Sequence, residues 1–118
     1  MKISLDKLKA AARITLTINH EDTPVRGNAL ASGDAAEDKR CEDAILERLD
    51  RGDEYAWFRA DVTAEYAGIE CSSYLGCCSY RDEADFKNDA YYADMVDEAL
   101  GKLQGRLTAL AESIEALS

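Results

Sequence analysis

The sequence predicts an α+β fold: a three-stranded antiparallel sheet with two helices packed on one face. Three observations carry this. "RITLTIN" and "EYAWFRADVTAEY" alternate apolar and polar residues with the period of two that a half-buried strand requires. Ala67-Gly68 then separates the second run from "IECSSYLGCCSY", as a two-residue turn separates the strands of a hairpin. Two further segments, 35–51 and 90–117, repeat apolar residues every three or four positions, which is one face of a helix. The predicted order is β-α-β-β-α over residues 13–19, 35–51, 54–66, 69–80 and 90–117, in a single domain spanning 1–118.

Taken in order, residues 3–10 place Ile3, Leu5 and Leu8 loosely on one side of a short N-terminal helix. In the first strand Ile14, Leu16 and Ile18 point one way, and Arg13, Thr15 and Thr17 the other. "HEDTPVRGNALASGD" holds the only proline and two glycines and reads as an ordered loop. It ends at Asp34, a capping residue, with Glu37 three positions on as in a capping box. Glu37 and Asp38 suit the positive end of the helix, and Gly52 is the expected stop. Cys41, Ile45 and Leu49 recur every four residues between them.

In the central strand Ala56, Phe58, Ala60, Val62, Ala64 and Tyr66 share one face, and Tyr55, Trp57, Arg59, Asp61, Thr63 and Glu65 the other. If Tyr66 and Ile69 flank the turn, Ala64 faces Cys71, Val62 faces Ser73, Ala60 faces Leu75 and Phe58 faces Cys77. A slip of one residue would bury Glu70, Ser72 and Gly76 instead, so burial selects this register. Cys71 and Cys77 are then core thiols, behaving as small hydrophobes, and Cys78 points to the opposite face. "RDEADFKND" is a polar connection that opens with a helical turn. In the last helix Val96, Leu100, Leu103, Leu107, Leu110, Ile114 and Leu117 form a heptad stripe. That stripe has two readings: packing on the sheet of its own chain, or a homodimer through residues 96–117 with the projecting end as the contact.

Charge narrows the function. Twenty-four acids against fourteen bases leave a net charge of −10. Such a surface repels nucleic-acid phosphate and anionic membranes and favours basic partners. No apolar run approaches a membrane span, and Lys2, Lys7, Lys9 and Arg13 interrupt any secretion-signal pattern at the N-terminus. The expected location is the cytoplasm, where thiols stay reduced.

The catalytic and metal-binding motifs are thin. Three of the four cysteines lie in "CSSYLGCCSY", but their spacing of five residues and then none differs from the paired cysteines of zinc sites. A metal or enzymatic reading would have to recruit Cys41 and His20 to Cys71, Cys77 and Cys78. No nucleophile elbow, dinucleotide fingerprint or phosphate loop is present. The expectation is a non-enzyme with no cofactor.

Acids and aromatics point instead to protein binding. Asp34 to Glu54 contains nine acids and four bases, and Asp82 to Glu98 seven acids and one base, Lys87. Carboxylates spaced on a stiff frame can imitate a phosphate backbone and occupy a basic groove. The candidate contact residues are Asp82, Glu83, Asp85, Asp94, Asp97 and Glu98, with Tyr55 and Trp57 as aromatic anchors. Tyr55 and Trp57 either stand exposed or lie under a second layer formed by the N-terminal segment or the 20–33 loop.

At "TPVRGNALASGD", "ILERLDRGDEYAWF" and "YLGCCSYRDEADF" the sequence resembles a group of small acidic uncharacterised proteins. These are carried by phages, conjugative plasmids and integrated elements of proteobacteria, and the likeness covers roughly residues 14 to 117. The resemblance implies an accessory protein of mobile DNA, a class in which some members antagonise host defence. Anti-CRISPR proteins are similar in type: size, acidity and lack of catalytic motifs. The resemblance carries over no functional residue.

Overall fold

A computed structural model describes residues 2–30 and 32–118. The elements are α1 (Leu5–Ala11), β1 (Arg13–Asn19), α2 (Ala35–Asp50), β2 (Phe58–Tyr66), β3 (Ile69–Cys78), α3 (Glu83–Lys87) and α4 (Ala90–Glu115). The strands form one antiparallel sheet in the order β1-β2-β3, an α+β architecture. Two compact units make up the chain. One contains the residues up to Thr17, Asp61–Tyr74 and Ala90–Ser118; the other contains Ile18–Ala60 and Leu75–Asp89.

The first unit is built on α4. Leu100, Leu103 and Leu107 are buried with Leu8, Ala64, Ala99 and Cys71, and Ile14 and Val96 pack at the edge. Ser4 caps α1 by accepting from the Lys7 N–H, and the carbonyl of Ile3 accepts from the Gln104 side chain. The predicted hairpin register holds here: Thr63 and Ser72, opposed in that register, join their hydroxyls at 2.7 Å. Ala67 and Gly68 both have positive φ, +54° and +80°, as a type I′ turn requires. The alanine therefore sits in a left-handed conformation, which costs a residue with a Cβ roughly 1 kcal/mol.

The second unit is built on α2 and the 20–33 loop. Asp34 caps α2 through the N–H groups of Ala36 and Glu37, as expected, while the Glu37 carboxylate turns to Arg40. Ile45 is buried with Val25, Ala56 and Trp57. Glu42 is buried too, a position that helical periodicity beside Cys41 and Ile45 does not reveal. Its carboxylate accepts from Arg26 at 3.1 Å and from the Gly27 N–H at 2.7 Å, so burial leaves it satisfied. Gly27 has φ +81°, which lets the loop backbone turn its N–H toward that carboxylate.

Three predicted details change. The central strand begins at Phe58, because Asp53 caps Tyr55 and winds Glu54–Ala56 into a 3-10 turn. The third strand ends at Cys78 and not at residue 80. Within it the alternation slips by one residue at Cys77, whose φ is +55°. Cys77 is thereby exposed and Cys78 buried, the reverse of the predicted orientation. The Glu21 carboxylate fixes this bulge by accepting from the Cys77 N–H at 2.5 Å and the Thr23 N–H at 3.2 Å.

Candidate protein-binding faces

The six candidate acids divide between the units, and each group has its own support. Asp94, Asp97 and Glu98 lie on the first half of α4, in the unit that α4 organises. Their spacing of three and four places them on one helical face, and all three are exposed. Asp97 lies 3.8 Å from Lys9, and Glu98 lies 3.0 Å from Lys102. These pairs are solvated on both sides, so they hold their partners weakly and can exchange them. The Glu98 carboxylate is held below its usual range, chiefly by the Lys102 hydrogen bond and then by that ammonium's charge. It stays anionic at neutral pH.

In the other unit, Asp82 caps α3 by accepting from the Asp85 N–H at 2.8 Å. Asp85 in turn accepts from the Arg81 N–H at 3.0 Å, which lowers its proton affinity. Glu83 pairs with Lys87 one turn on, at 3.3 Å. Tyr55, in the same unit, is half-buried. Burial first, and then the charges of Glu83, Glu54 and Asp82, push its phenol above the usual range. Glu54, Asp82 and Glu83 thus come near enough to one phenol for their charges to act on it, Glu54 being a member not singled out from the sequence.

Tyr55 itself rests on a stiff aromatic base. The Tyr55 ring meets Phe58 edge-on at 5.3 Å, and Phe58 meets Phe86 at 5.6 Å in the same manner. Tyr80 closes the group, 4.9 Å from Phe86, with its hydroxyl on Asp89 at 2.8 Å. Edge-to-face pairs of this kind contribute about 1 kcal/mol beyond their burial. Phe58 and Phe86 are fully enclosed, so the acids of α3 project from a packed support.

Trp57 is buried and does not stand exposed as an anchor. It is only 7% exposed, and its indole N–H donates to the Thr23 carbonyl at 2.8 Å. Of the two readings for this side chain, cover by the 20–33 loop is the one observed. The physical reason is Val25, which closes over the indole as part of the same core.

The four cysteines are free thiols. His20 is 86% exposed, 3.6 Å from Asp22. Cys78 donates to the Leu75 carbonyl, and burial pushes its thiol up to about 11. Among the described residues no three His, Cys, Asp or Glu side chains converge as a metal site. Every described carboxylate with a resolved shift, namely Glu21, Asp43, Asp53, Asp85 and Glu98, is shifted toward the anion.

The chain matches no protein-family model, no curated protein and no solved structure. No helix among the described residues is long and apolar enough to cross a membrane. The arrangement of charge is therefore the feature from which function is argued. It consists of carboxylates carried on helices, several of them exposed, with neighbouring bases that pair them across solvent.

Proposed function

We propose that this chain is a non-enzymatic inhibitor or adaptor that binds a basic protein surface through its carboxylates. The partner chemistry is a groove of lysines and arginines such as nucleic-acid-binding proteins carry, which the chain occupies as a DNA mimic. The setting implied by the resemblance, a mobile element acting against a host defence complex in the bacterial cytoplasm, is part of the same proposal. It would make the protein anti-CRISPR-like in type.

One observation carries the reading: Asp94, Asp97 and Glu98 stand exposed on a single face of α4, within a stretch of seven acids and one base. The charges that Glu54 and Glu83 bring near Tyr55 support it independently. The test is capture of basic proteins from bacterial lysate on immobilised protein, eluted with rising salt and competed with heparin. The expected result is a nucleic-acid-binding partner released by salt and by heparin. Its capture should be abolished by Asp94→Lys with Asp97→Lys and Glu98→Lys, at unchanged thermal stability. Capture indifferent to those reversals, or no basic partner at all, overturns the proposal. Glu54→Lys with Glu83→Lys tests this second group while sparing the Asp82 cap.

A further inference from the structure

β3 forms one edge of the sheet. An edge strand offers a row of outward N–H and C=O groups on which another strand can pair, and proteins blunt such edges with lysine, proline or short strands. β3 uses none of these devices itself. It is ten residues long, it contains no proline, and Glu70 is its only charge.

The turn fixes which groups point outward. In a two-residue hairpin the residues flanking the turn, Tyr66 and Ile69, form a hydrogen-bonded pair, and bonded and non-bonded pairs alternate from there. Ala64–Cys71 is then a bonded pair, while Glu65–Glu70 and Thr63–Ser72 are not. The 2.7 Å contact between the Thr63 and Ser72 hydroxyls fits the narrower, non-bonded kind. The carbonyls of Glu70 and Ser72 therefore point away from β2, at the free edge.

Both carbonyls are taken from α4. Lys102 donates to the Ser72 carbonyl at 3.0 Å, and Arg106 to the Glu70 carbonyl at 3.1 Å. These are the only two bases of α4, against five acids. Four residues of helix rise about 6 Å and two residues of strand about 6.8 Å, so the pair meets successive outward carbonyls. Leu103 and Leu107 are meanwhile buried with Ala64 and Cys71, which seats the helix on the sheet.

We propose that Lys102 and Arg106 close the free edge of β3, and so keep a second copy of the chain from pairing its own β3 there. The strand lacks protective residues of its own, and the helix supplies them. Both bases stay exposed on their outer sides, so the contact is a cover on the edge and not part of the core.

The experiment compares the wild type with Lys102→Met plus Arg106→Met, which keep the apolar stems and lose the donors. Sedimentation over a concentration series reports association, the infrared amide I band reports strands paired between molecules, and circular dichroism reports the fold. The Met pair is expected to associate about tenfold more tightly than the wild type, with an intermolecular strand signal. That gain would run against charge, because losing two bases makes a chain of net charge −10 more negative. Adding Ser72→Pro should restore wild-type behaviour, since proline removes an outward N–H that an added strand needs and none that β2 uses. Lys102→Arg with Arg106→Lys keeps both donors and should also behave as wild type. A folded Met pair that sediments like the wild type overturns the proposal. So does association that Ser72→Pro leaves intact, or equal association of the exchanged pair. Loss of the fold in the Met pair overturns it as well, because the two bases would then be a clamp that the fold itself requires.

Discussion

Replacing Glu21 by alanine is expected to loosen the 20–33 loop and to be read out by the only tryptophan. Glu21 accepts two backbone hydrogen bonds, from Cys77 and from Thr23, and the Thr23 carbonyl in turn holds the Trp57 indole. A hydrogen bond to a charged acceptor is worth about 1.5 kcal/mol when buried, and partial exposure roughly halves that, which leaves about 1.5 kcal/mol for the pair. For 118 residues the unfolding entropy is about 0.25 kcal/mol/K, so the Tm should fall by about 6 °C. Circular dichroism measures the Tm, and Trp57 emission should shift to the red as Val25 and Thr23 release the indole. Gly76→Ala provides the coupling. A Cβ at residue 76 would stand 2.7 Å from the Glu21 carboxylate and displace it. The two changes should therefore be markedly less than additive when combined. A Tm and an emission spectrum that stay at wild-type values in Glu21→Ala, or strict additivity with Gly76→Ala, would refute the assignment of Glu21 as the pin.

Ala67→Asn places a residue tolerant of positive φ at the hairpin turn and should add about 0.5–1 kcal/mol, measured as a higher urea midpoint at unchanged slope. Thiol titration with a disulfide reagent should modify exposed Cys77 promptly and Cys41 more slowly, and reach buried Cys71 and Cys78 only on unfolding. Stability should fall as the solution is acidified. Glu21, Asp43, Asp53, Asp85 and Glu98 all have folded-state proton affinities below their unfolded ones. Their contribution is complete above the ordinary carboxylate range and is lost below about pH 4, which urea midpoints at descending pH will show. The raised Cys78 thiol has the opposite sign: its contribution is intact below an ordinary thiol's range and is lost as pH rises through about 11.

The elements were legible because each obeys a local rule. The period-two run of β1, the Asp34 cap and the Gly52 stop depend on neighbours a few residues away and stand where the sequence places them, as does β2 from Phe58 onward. The hairpin register was legible for a different reason, since only one pairing buries an apolar face. The candidate acids are exposed surface groups, and their helical phase could be read from spacing alone. Their nearness to the Tyr55 phenol could not, because residues 54, 82 and 83 come near one side chain only through the fold.

By itself the sequence determined the strands, the main helices, the charge and the stripe of α4, all set by backbone periodicity and short-range sterics. Only the tertiary structure decided which of Cys77 and Cys78 faces inward, since a carboxylate 56 residues away stabilises the left-handed bulge at Cys77. It likewise decided that Trp57 is core, because Val25 and the Thr23 carbonyl reach it from a loop whose path no local pattern encodes. And it decided where the α4 stripe runs out of cover: burial ends at Leu107 because the packing partners end there, although the heptad continues to Leu117.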